Sequence, residues 1–174
     1  MKRALAFFAL AVAALPATAG GYDFAATSEP LRAAVVSPRG AGAVHLGDTV
    51  RSLHRRHLIG RLRPGCELDP GQRAARLRSP LKGFAIFSHP NNRVRSLAIE
   101  GGGETAKGVG IGTSPGEARQ LYPNAEYDPP GTAGPFEDGF IWVNSNQSPK
   151  LTFVVDADTR VITQIDVPFP NFCE

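Results

Sequence analysis

The chain lacks most of the short motifs that announce a chemistry. It has no Gly-Lys followed by Ser or Thr, and so no Walker phosphate loop, and it has no G-x-S-x-G elbow to present a serine nucleophile. Its two cysteines, Cys66 and Cys173, form no C-x-x-C pair and stand in no helix-terminal setting that would activate a thiol. All four histidines (His45, His54, His57 and His89) fall between residues 45 and 89, with no neighbouring Glu or Cys in a zinc pattern. Beyond the N-terminal stretch, no segment is long and apolar enough to cross a bilayer. What is present is 174 residues with 42% hydrophobic content, enough for one ordinary domain with a real core.

The N-terminus reads as an export signal over residues 1–19. Lys2 and Arg3 give it a positive start, Ala4 to Leu15 an apolar stretch, and Ala17-Thr18-Ala19 a small-x-small cleavage site. No cysteine follows that site, which argues against an acyl-anchored lipoprotein. The expected location of the mature chain is therefore secreted or periplasmic. In an oxidising compartment an even pair of cysteines reads as a disulfide. Cys66–Cys173 would close a loop of about 107 residues, worth roughly 4–5 kcal/mol through lost chain entropy.

Charge is split between the halves. Residues 20–100 carry thirteen Arg and Lys against six acids, whereas residues 101–174 carry four against ten. The net +3 of the whole chain hides this contrast. Opposite fields on two halves either attract each other or offer one basic and one acidic face to partners. A nucleic-acid binder would instead be basic over its whole binding face.

The halves also repeat. FAIFSHPNNRV (84–94) aligns without a gap on LTFVVDADTRV (151–161), and VHLGDTVRSL upstream of the first matches VGIGTSPGEA upstream of the second. In the second copy Ser114 can cap a helix, Pro115 takes its first position, Glu117 completes a capping box and Pro123 stops it. In the first copy Asp48 or Thr49 is the cap, Val50, Leu53, His57 and Leu58 recur at helical spacing, and Gly60 is the stop. Alternation in 93–99 and 159–167, on either side of bend-forming turns, predicts hairpins. Residues 140–143 add a strand in the second copy, its counterpart near 73–77 reads as helix or loop, and 31–36 suggests an opening strand. Gly101-Gly102-Gly103 reads as a flexible joint between the copies.

Few residue groups could carry chemistry. The glycine run Gly108 to Gly116 reads as a structural strand-to-helix turn, because neither phosphate-loop spacing is met. His54 and His57, three apart on one helix, could face one metal, but Arg55 and Arg56 between them oppose a cation. Asp156 and Asp158 sit in a turn without the downstream residues of a calcium loop. Phe136, Phe140 and Trp142, beside Glu137 and Asp138, are the candidate binding residues: aromatic anchors within a polar rim are the usual material of hot spots. Core burial of Phe140 and Trp142 is the competing reading. No catalytic residue, metal site or cofactor is expected.

The turn into a short helix, followed by a hairpin of the form "apolar strand, turn, Arg-Val, apolar strand", spans Leu46 to Leu58 with Phe84 to Ile99, and Ile111 to Tyr122 with Leu151 to Val167. It resembles the unit of the beta-lactamase inhibitory protein family, and is similar to the single unit of the small outer-membrane assembly lipoproteins. That resemblance implies an α+β fold of two tandem repeats, 20–101 and 102–174, each a short helix plus an antiparallel sheet. The sheets would lie side by side with helices on one face and a concave surface on the other. Neither copy contains its own cysteine pair, and the family's inhibitory surface has no residue-by-residue match. The expected role is an exported, non-enzymatic binding module for another protein or envelope component, without nucleic-acid partners. The alternative is an envelope hydrolase centred on His54, His57 or His89.

Overall fold

The computed structural model describes residues 33–66, 69–132, 134, 136–144, 146 and 150–170. The segment read as an export signal, and Cys173, lie outside the described residues. Among the described residues, twelve strands and two short helices follow in the order β1 (Ala34–Ser37), β2 (Gly40–Ala41), β3 (Val44–His45), α1 (Val50–Arg55), β4 (Ile59–Pro64), β5 (Arg73–Leu77), β6 (Lys82–Ser88), β7 (Arg93–Gly101), β8 (Gly103–Thr105), α2 (Pro115–Leu121), β9 (Glu126–Asp128), β10 (Gly139–Val143), β11 (Leu151–Val155) and β12 (Ile162–Val167).

The strands form two sheets. An eight-stranded antiparallel sheet has the order β4-β5-β6-β7-β12-β11-β10-β9, and a four-stranded sheet the order β3-β2-β1-β8. The smaller sheet closes through a parallel pairing of β1 with β8, Ala34 opposite Gly103. The expected α+β class is thus corrected: the described residues are mostly β. The expected unit of helix plus hairpin, with two sheets side by side, is corrected as well. The strands run on as one sheet across the junction, where β12 pairs with β7 through Ile165↔Ile99, Asp166↔Ala98 and Val167↔Leu97. The physical reason is that strand edges left by two separate sheets would carry unpaired backbone groups, and pairing β7 to β12 satisfies them.

Strands β4 and β5 account for much of the difference. In β4, Ile59 and Leu62 turn inward, but the register shifts between them, so the apolar spacing is three and hides the strand period. In β5 the inward residues are Ala75 and Leu77, and alanine gives little apolar signal amid Arg73 and Arg76.

One face of the large sheet packs on the core. Phe87, Leu97, Ile99, Ile141, Phe153, Ile165 and Val167 meet Val36 and Val44 of the small sheet, Leu53 of α1 and Ala118 of α2. Each helix contributes one fully buried residue, and Val50 of α1 and Tyr122 at the end of α2 pack against the same core. Ser114 Oγ accepts from the Glu117 amide at 3.2 Å, as the cap spacing predicts, and Thr49 Oγ1 accepts from the Ser52 amide at 3.2 Å.

Helix α1 ends earlier than its spacing predicts. His57 takes φ +55, its amide donates to the His54 carbonyl at 3.0 Å, and the Leu58 amide reaches back to Leu53 O at 3.0 Å. This is a Schellman stop with His57 in the left-handed position that glycine usually fills.

The Gly101–Gly103 segment is not a loose joint. It turns the chain from the large sheet into the small one, and Gly102, at φ +72, lies so close to Pro80 that an added Cβ would sit 1.8 Å from its carbonyl oxygen. Only glycine fits this corner.

Candidate functional site

The second face of the large sheet carries its own row of side chains. Cross-strand register joins Arg76 (β5), Phe84 (β6), Ala98 (β7), Asp166 (β12), Thr152 (β11), Trp142 (β10) and Glu126 (β9) in one line across seven strands. These residues alternate with the core-facing ones, so they project to the other side. The row runs from a cation at one end to a carboxylate at the other.

Aromatic side chains flank the row's small central residues. The Arg76 guanidinium lies 5.2 Å from the Phe84 ring centroid. Beyond the centre, Phe140 and Trp142 stack with centroids 5.1 Å apart, and Phe136 meets Phe140 edge-on at 6.0 Å. Trp142 Nε1 donates to Asp128 Oδ2 at 2.7 Å, which gives the buried indole its partner. Phe140, Trp142 and Val154 form a small apolar cluster separate from the main core.

Of the three aromatics singled out from sequence, Phe140 and Trp142 are buried and Phe136 is 37% exposed. The structure brings all three together, and Phe136 is the one that offers surface. A second exposed aromatic, Phe169, lies just after β12 at 38% exposure, 5.9 Å from the Arg95 guanidinium. It was legible only as a C-terminal apolar residue, since its neighbour Arg95 is remote in sequence.

At the centre of the row Asp166 is buried, with 1% exposure. The Gln164 amide donates to both of its carboxylate oxygens, at 2.9 and 3.0 Å. Burial pushes the Asp166 carboxyl up to about 7; the Gln164 bonds pull it down, and Glu100 adds a smaller upward push. Nothing in a strand pattern distinguishes this aspartate from a solvated one, so it carries no signal in the sequence.

The other candidates separate in space. His54, His57 and His89 are exposed, and none has a side-chain hydrogen bond or ion pair described. His45 lies 3.8 Å from Asp48. The left-handed His57 also takes it out of helical register with His54, so the two no longer share a helix face. No group of His, Cys, Asp and Glu able to hold a metal occurs among the described residues.

The glycine run from Gly108 serves as a turn. The Val109 amide donates to Thr105 Oγ1 and the Gly110 amide to Thr113 Oγ1, both at 3.1 Å, so these donors are already engaged. Asp156 closes its own turn, accepting from the Thr159 hydroxyl at 2.6 Å and amide at 2.7 Å, which together hold its carboxyl below the usual range. Cys66 is buried, and its expected partner Cys173 lies outside the described residues. No helix among the described residues is long and apolar enough to cross a membrane.

Comparison with known proteins adds no relative: no family model, no curated protein and no solved structure matches the chain.

Proposed function

We propose that this chain is an exported binding module that contacts another protein or an envelope component through the second face of its eight-stranded sheet. The observation that carries this reading is the pair of exposed, oppositely charged ends of the row, Arg76 and Glu126, with exposed aromatics near it, Phe136 beside Phe140 and Phe169 against Arg95; the middle of the row, from Ala98 to Trp142, is buried and supports them. An aromatic ring supported by neighbours and ringed by charge is the form that binding hot spots take. Opposite charges at the two ends of the row would orient a partner on encounter.

A photo-crosslinking residue placed at Phe136 in the native envelope tests this. A reproducible adduct that is lost when the probe is moved to the far side, at Val35, supports the reading. The same adducts from both positions, or none from Phe136, overturns it.

The Cys66–Cys173 disulfide belongs to the same proposal. In the sheet order β12 lies four strand positions from β4, about 19 Å at the usual strand spacing. The chain from Val167 to Cys173 can reach about 20 Å when extended, so the link is within range. Intact mass with and without reduction before alkylation decides it; two thiols alkylated without reduction would remove the staple.

A further inference from the structure

We propose that the free edge of β4 docks an extended, acidic segment of a partner protein. This names a second contact, the backbone edge of β4, which does not involve Phe136 or Phe169. Among the described residues β4 is the terminal strand of the eight-stranded sheet and pairs only with β5. It is anchored from below, because Ile59 is buried in the core and Leu62 packs against it, while Arg61 and Arg63 are exposed. The backbone groups along its outer side are thus held in place beside two cations.

The surroundings extend that charge. Arg55 and Arg56 lead from α1 towards the strand, Arg73 begins β5 and Arg78 follows it, all of them exposed. Between Val50 and Leu81 the sequence contains eight arginines, no lysine and two acids. In this group the one ion pair among the described residues is Arg56 with Asp48, at 3.5 Å. Cations on a strand edge do keep sheets from pairing with one another, and Arg61 and Arg63 suffice for that. The further arginines on α1 and β5 are not explained by edge protection.

Their chemistry selects the occupant. A guanidinium presents a planar fork that matches a carboxylate with two parallel hydrogen bonds, which a lysine cannot do. A strand edge selects an extended backbone, which adds to the sheet and places alternate side chains on each face. Together they fit a segment in which acidic residues alternate with apolar ones. The opposite edge, β9, carries Glu126 and Asp128 and repels the same segment, so the field along the sheet directs it to β4.

Fluorescence anisotropy of a labelled peptide of alternating Glu and Val, titrated with the mature protein, tests the inference. Binding is expected at physiological ionic strength, weakened about tenfold or more in the double variant Arg61→Glu, Arg63→Glu, since each 1.4 kcal/mol is a factor of ten. The same peptide with alternate backbone nitrogens methylated keeps its charge and loses the ladder, and it is expected to bind at least as poorly. Phe136→Ala is expected to leave the affinity unchanged, so failure here and failure of the sheet-face reading are told apart. Absence of binding overturns the proposal. So does binding that backbone methylation leaves intact, or a preference for anionic phospholipid vesicles over the peptide.

Discussion

The Gln164 side-chain amide donates to both carboxylate oxygens of Asp166, holding an acid under the second face of the sheet where β7 meets β12. Because burial raises the Asp166 carboxyl from 3.8 to about 7, the folded protein binds its proton more tightly than the unfolded chain does. Stability is then unpenalised below about pH 4, falls as pH rises towards 7 while the unfolded chain ionises first, and levels off above that. The full penalty is up to about 4 kcal/mol at roughly 1.4 kcal/mol per pH unit. Asp166→Asn removes the titrating group, so the stability difference between variant and wild type should favour the variant increasingly from pH 4 to pH 7. Urea unfolding at a series of pH values measures it, and a difference independent of pH would refute the assignment.

Trp142 is the one tryptophan in the chain, and its Nε1 bond to Asp128 ties β10 to β9. Asp128→Ala should cost about 1–2 kcal/mol by leaving a buried donor unpaired. It should also change the emission of that tryptophan in the folded state. Asp128→Asn keeps an acceptor oxygen and should recover most of the loss. Denaturant titration followed by tryptophan fluorescence reads both effects at once.

His57 occupies a left-handed position at the end of α1. A glycine there meets no Cβ penalty, so His57→Gly should stabilise the protein by about 0.5–1 kcal/mol. A lowered melting temperature in this variant would mean that the imidazole makes a compensating contact.

Two glycines should respond in opposite directions to alanine. Gly102→Ala places a Cβ against the Pro80 carbonyl at a positive φ and should destabilise by about 3 kcal/mol or more. Gly116, inside α2, has open space where its Cβ would go and an ordinary helical backbone. Gly116→Ala should raise stability by about 0.5–1 kcal/mol. Thermal unfolding of the pair under one set of conditions compares them directly.

Local signals carried part of the fold. The Ser114 cap and Pro115 start of α2, the cap at Thr49, and the strand at 140–143 could all be read from neighbours within a few residues. The two aligned segments, 84–94 and 151–161, span the β6–β7 and β11–β12 hairpin turns. The apolar helical spacing around α1 misled, because His57 and Leu58 belong to the helix stop. β4 was missed because its bulge breaks the period, and β5 because alanine supplies its inward contact. Of the site, Phe136, Phe140 and Trp142 were visible as a cluster in sequence, whereas Asp166, Arg95 and Phe169 were not.

Sequence alone determined the caps, the turns and the division of charge between the halves, since each depends on residue type and short spacing. Tertiary structure decided that the strands join into one eight-stranded sheet. That choice satisfies the backbone of β7 and β12 and places Asp166 under cover, while β4 and β9 become the two edges, one basic and one acidic. Backbone pairing between distant segments depends on register and loop closure, which no local pattern records, and so the class of fold and the position of the candidate surfaces appeared only when the chain was assembled.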